Sequence, residues 1–147
     1  MNKGLMRSAI VCIVAATAAA SLHAQAGKQI TSRDGSCQVT VPGEWEQMAN
    51  LGIANSPDKS ITVAVTSPRL SPQLSQVKEN APKMYPDDKI VKDTPTDFQM
   101  EGQNGAHRPN VYRGIQIPGK VCLVEVDYRS GTIDDARKIA ATLKGAK

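Results

Sequence analysis

The chain has 147 residues, 40% of them apolar and 22% charged, with a formal net charge of +4. That length suits one domain with a single core and leaves little room for a second. Acids and bases are interspersed without a block of like charge, and the aromatics are few, so the sequence supports neither nucleic-acid binding nor electrostatic steering to an anionic membrane.

Residues 1–7 carry Lys3 and Arg7 and no acid, and the following small, apolar run covers residues 8–20. That run is shorter than the ~20 residues needed to span a bilayer. It leads into Ala24-Gln25-Ala26, an A-x-A cleavage site. Residues 1–26 are therefore expected to be a secretory signal cut after Ala26, giving a periplasmic or secreted protein. Cys12 does not form a lipobox, because Val11 before it is not small and the apolar run continues past it.

Removing this segment changes the arithmetic. Of 18 basic residues, Lys3 and Arg7 leave, so 16 remain against 14 acids, a net of about +2. Cys12 and His23 leave too, so Cys37 and Cys122 remain as a pair and His107 as the sole histidine. A lone cysteine pair in a small exported domain is expected to form a disulfide.

Residues 27–36 are polar and rich in Gly, Ser and Thr, which predicts a flexible leader before a single domain over 37–147. Residues 37–41 alternate strictly, as a half-buried strand does, with Cys37, Val39 and Val41 inward. Pro42-Gly43 ends it, and Trp45 is expected to fold back over the core edge. Residues 51–55 and 60–67 read as a hairpin around Ser56-Pro57-Asp58-Lys59. Ser71-Pro72 reads as a helix cap and first position, followed by Leu74, Val77 and Ala81 at helical spacing, with an end or kink at Pro82.

Residues 89–93 and 96–102 are two further strands interrupted by Pro95. Residues 102–110 make the most turn-rich loop. Residues 111–117 and 121–129 form a hairpin through Pro118-Gly119, the central pair of a type II turn, with Cys122, Val124, Val126 and Tyr128 on one face. Residues 132–144 predict a helix with Ile133, Ala136, Ile139, Ala140 and Leu143 on its apolar stripe, and Asp134, Asp135 and Lys144 placed favourably for its dipole.

This order predicts an α+β domain, an antiparallel sheet covered by helices. The stretch Cys37-Gln38-Val39-Thr40-Val41-Pro42-Gly43-Glu44-Trp45 resembles the opening of PsbP-like domains, whose superfamily includes the DcrB-like periplasmic proteins. In layout the resemblance covers most of residues 37–144 and implies a PsbP-like sandwich. It further implies a binding or assembly module and carries no catalytic signature to particular residues.

The chemistry read directly from the residues is sparse. There is no C-x-x-C, H-E-x-x-H, G-x-S-x-G or phosphate-binding glycine loop, and one histidine beside two pairable cysteines is a poor basis for a metal. No cofactor or metal is expected. Asp87-Asp88 reads as a solvated turn and Asp134-Asp135 as a helix start, so neither pair faces a common substrate. The expectation is a non-catalytic binding or accessory module whose partner is a protein or envelope component. Its expected binding residues are Gln103, Asn104, His107 and Arg108 in the turn-rich loop. The alternatives are a small secreted hydrolase using His107 as base and an envelope stress or stability factor.

Overall fold

The computed structural model describes residues 27–103, 108–129 and 133–147. The segment expected to be a signal lies outside them. The described chain is built mostly of antiparallel strands, in two sheets, with two short helices.

The first sheet has three strands in the order β1-β2-β10, formed by Lys28–Thr31, Cys37–Val41 and Lys144–Gly145. The second has seven, in the order β3-β4-β5-β9-β8-β7-β6. Its strands are β3 Glu46–Met48, β4 Ile53–Asn55, β5 Ile61–Thr66, β6 Lys89–Asp93, β7 Asp97–Gln103, β8 Pro109–Ile117 and β9 Lys120–Tyr128. Helix α1 is Leu74–Met84 and α2 is Ile133–Ala141.

The helices cover the large sheet only in part, and the small sheet takes a share of that role. On one face, α1 packs Leu74, Val77 and Ala81 with Phe98, Met100 and Val121. On the other, Val63, Val65, Val124 and Val126 meet Ile30, Val39 and Val41 of the small sheet, together with Ala136 and Ile139 of α2. The residues that alternate in β2, β5 and β9 are the ones this second core buries. Trp45 is 4% exposed and belongs to the same core, its carbonyl accepting from Lys28 Nζ at 2.5 Å.

Residues 28–31 are not a flexible leader. They form β1, in register with β2 from Lys28↔Val41 to Thr31↔Gln38. Ile30 supplies the inward side chain of this edge strand, which explains why the segment reads as polar. The last helix is also shorter than its periodicity suggests: Leu143 stays buried, but Lys144 and Gly145 pair with Gln38 and Cys37.

Helix α1 starts at Leu74, two residues past the expected Ser71-Pro72 start. The Leu74 N–H donates to Gln116 Oε1 at 2.7 Å, and the Gln116 amide nitrogen donates to the carbonyls of Pro72 and Lys120. A side chain from β8 thus satisfies one orphan donor of the helix terminus, and Gln76 Oε1 accepts the Gln73 N–H at 3.3 Å in a local capping box, where a cap by Ser71 was expected. Pro82 lies in the last turn and the helix runs two residues beyond it.

Two hairpin turns share one design. In Ser32-Arg33-Asp34-Gly35-Ser36 and Ser56-Pro57-Asp58-Lys59-Ser60, the first serine hydroxyl donates to the aspartate at 2.7 Å and accepts the N–H that opens the next strand at 3.0 Å. The last serine's N–H donates to the same carboxylate. These hydrogen bonds, led by that of the first serine, hold Asp34 well below the usual carboxylate range and lower Asp58 to about 2. The fourth position is left-handed in both, Gly35 at φ 75° and Lys59 at φ 56°. Open space surrounds an added Cβ at Gly35. Gly35→Ala is therefore expected to cost only the backbone term, about 1 kcal/mol, visible as a lower urea midpoint with unchanged slope.

Two arginine–carboxylate forks pin α2 and its neighbours. Arg137 holds Glu101 of β7 at 2.8 and 2.7 Å, and Arg113 of β8 holds Asp97 at 2.9 Å through both Nε and Nη2. Arg113 Nη1 also donates to the Ala140 carbonyl at 2.8 Å, fastening the end of α2 to the sheet.

Cys37 and Cys122 are joined by a disulfide, and both are fully buried. The bond links β2 in the small sheet to β9 near the centre of the large one.

Candidate functional site

At one pole of the molecule several turns and loops lie together. The β1–β2 turn brings Arg33, the turn before β4 brings Leu51, and residues 67–72 between β5 and α1 bring Ser67 and Arg69. Gly52 makes the close approach possible. Its φ is 69°, and a Cβ there would lie 2.5 Å from the Val65 carbonyl and 3.2 Å from the Ser32 Cα. Only glycine permits the two turns and β5 to meet this tightly.

Between them is an open cleft of about 620 Å³, lined by Arg33, Asp34, Leu51, Ile53, Thr66 and Arg69 among others. A second hollow of about 380 Å³ shares Asp34, Ser67 and Arg69 and extends to Lys120 beside the β8–β9 turn. Gln116 ties the floor of this second hollow to the start of α1.

The electrostatics of the cleft are uneven. Asp34 is engaged by two serines and by Lys120 Nζ at 3.4 Å. Arg33 and Arg69 are exposed, and among the described residues neither has a hydrogen-bond or ion-pair partner. Two planar, permanently charged forks therefore stand free beside apolar Leu51 and Ile53 and the hydroxyls of Thr66 and Ser67. Such a surface is suited to holding a carboxylate or phosphate through bidentate hydrogen bonds.

The residues expected to bind fall elsewhere. Gln103 ends β7, and Arg108 immediately precedes β8, with which β7 pairs as far as Gln103↔Pro109. The turn-rich loop is thereby shorter than the expected 102–110. Asn104 and His107 lie outside the described residues. The base of the loop is fastened by Asp88, whose Oδ1 accepts the Gln103 N–H at 2.7 Å and whose Oδ2 accepts from the Asn110 amide at 3.3 Å. Burial, the largest influence, raises the pKa of Asp88. Asp88 is thus a half-buried fastening of the loop, while Asp87 remains exposed.

A tyrosine pair lies under the end of α1. The rings of Tyr85 and Tyr112 are 5.8 Å apart, and the Tyr85 hydroxyl meets Glu125 at 3.5 Å. Burial first, and then the charge of Glu125, push Tyr85 up to about 12, while burial also raises Tyr112. Both phenols keep their protons at neutral pH and do not supply a phenolate. Among the described residues no group of three or more His, Cys, Asp or Glu is arranged to hold a metal ion.

Arg33 and Arg69 escaped the sequence reading because neither belongs to a charged run. One signal was present: Pro68-Arg69-Leu70-Ser71-Pro72 sets a cation and a leucine between two prolines, outside any apolar period. No protein-family profile, curated protein or solved structure matches the chain.

Proposed function

We propose that the chain is exported, loses residues 1–26, and acts in the periplasm or outside the cell as a non-catalytic binding module of PsbP-like layout. Its partner is an anionic component of the envelope, engaged at the cleft between the β1–β2 turn and residues 67–72. The observation that carries this reading is the pair of guanidiniums, Arg33 and Arg69, without a partner among the described residues and beside exposed Leu51. The buried disulfide supports an oxidising destination. Among the described residues no helix is long and apolar enough to cross a membrane, which accords with a module working at a surface. The PsbP-like comparison rests on the order of hairpin, helix, antiparallel strands and final helix.

The test is affinity capture from a solubilised envelope extract, using wild type, R33E/R69E and a variant with residues 104–107 replaced by Gly and Ser. The expected result is a component retained by wild type and by the loop variant, with recovery reduced at least about tenfold by charge reversal. Capture lost in the loop variant and unchanged in R33E/R69E would contradict the cleft assignment and return the site to Gln103, Asn104, His107 and Arg108.

A further inference from the structure

The loops that carry the cleft are apolar as well as cationic. Leu70 is 94% exposed, Leu51 49% and Met48 46%. Leu70 directly follows Arg69, and Leu51 lines the cavity that Arg33 and Arg69 also line. The Leu51 N–H donates to the Met48 carbonyl at 3.3 Å, so both apolar side chains belong to one tight turn.

The segment carrying Leu70 is short and restrained. Pro68 and Pro72 bracket it, each with φ fixed by its ring, and the Pro72 carbonyl is tied to the Gln116 amide at 3.2 Å. A leucine on such a segment is held outward, in contrast to the side chains of β2 and β5 that bury themselves in the core. Apolar tips on neighbouring loops, flanked by free cations, mark a surface that becomes covered in use.

We infer that this pole docks on an anionic membrane surface, with Leu51 and Leu70 entering the headgroup boundary while Arg33 and Arg69 pair with lipid phosphates. This rests on the cleft reading above and names its partner. Charge complementarity selects the occupant: the acid of the cleft, Asp34, is engaged by Lys120, which leaves Arg33 and Arg69 to face an anionic plane. A small soluble anion would occupy the guanidiniums and leave Leu70 in water. A lipid surface meets both kinds of group at once, as interfacial anchors do. The contact is peripheral and reversible, and it weakens with salt.

The test is flotation of the purified, disulfide-bonded protein with vesicles of phosphatidylcholine alone or with equal parts phosphatidylglycerol, beside titration with a poly-glutamate peptide. Wild type is expected to float with the anionic vesicles at low ionic strength and to be released by salt. R33E/R69E is expected to lower partitioning by at least about 25-fold, and L51S/L70S by about tenfold. All four positions project from turns or loops, and unchanged circular dichroism serves as the check on folding. Absence of vesicle binding, or binding that L51S/L70S leaves intact, overturns the inference. Binding of poly-glutamate alone, lost in R33E/R69E, overturns the membrane assignment and leaves the anionic-partner reading standing. If R33E/R69E matches wild type with vesicles, peptide and envelope extract alike, both readings fail.

Discussion

Replacing Cys37 and Cys122 together by alanine is expected to lower unfolding free energy by about 4 kcal/mol, within the usual range for a native disulfide in a small domain. The bond closes a sequence separation of 85, and the simple chain-entropy relation gives about 4.6 kcal/mol for a loop of that size. Both sulfurs are buried, so alanine leaves small apolar side chains and no unsatisfied polar group. Most of the loss then comes from freeing the unfolded chain. A domain of this size has about 5–15 kcal/mol in all, so the variant should remain folded at room temperature yet unfold at a much lower urea concentration. Reductant should move the wild type toward the variant and leave the variant unmoved. A difference below about 1 kcal/mol would contradict the role given to the bond.

Arg113→Ala is expected to cost about 2–3 kcal/mol at neutral pH. The side chains of Arg113 and Asp97 are 14% and 16% exposed, so among the described residues the remaining carboxylate would keep only Lys92 as its ion-pair partner, in a setting with little water. The Ala140 carbonyl at the end of α2 would lose this donor as well and keep the Leu143 N–H at 3.2 Å. The hydrogen bonds of Arg113, its largest influence, lower the pKa of Asp97. A carboxylate depressed in the folded state adds stability above its unfolded pKa of about 4 and loses it as pH falls through the folded value. The gap between wild type and Arg113→Ala should accordingly be widest at neutral pH and shrink in acid. Urea unfolding of both proteins across that range reads the effect, and a gap that stays constant would contradict it.

Strands that bury one face were legible because alternation reports burial directly. Cys37, Val39 and Val41, and again Val124 and Val126, declare their inner faces without any tertiary knowledge. β1 was hidden because an edge strand with one inward apolar residue, Ile30, leaves too little pattern to see. The start of α1 was misplaced because Ser71-Pro72 is the stronger local signal, whereas the actual start rests on a box of two glutamines, Gln73 and Gln76, and on Gln116, 42 residues away. β10 is only two residues long and exists through its pairing with β2.

The candidate site was less legible still, for the same physical reason. Interspersed charges imply a bland surface only if neighbours in sequence are neighbours in space. Arg33 and Arg69 line one cleft because Gly52 lets the β1–β2 turn press against the start of β4, and because β5 ends at the same pole. The Asp97–Arg113 fork needs the β7–β8 register before it can be recognised. By contrast, the turn-rich loop drew attention through composition alone, and two of its named residues, Asn104 and His107, lie outside the described part of the chain.

The binding role of the cleft is tested most directly by amide chemical-shift mapping of the isotopically labelled protein during titration with envelope extract. The expected result is saturable perturbation centred on Arg33, Leu51, Ser67, Arg69 and Leu70, abolished by R33E/R69E. Perturbation confined to residues 103–108, with the cleft unmoved, would contradict it.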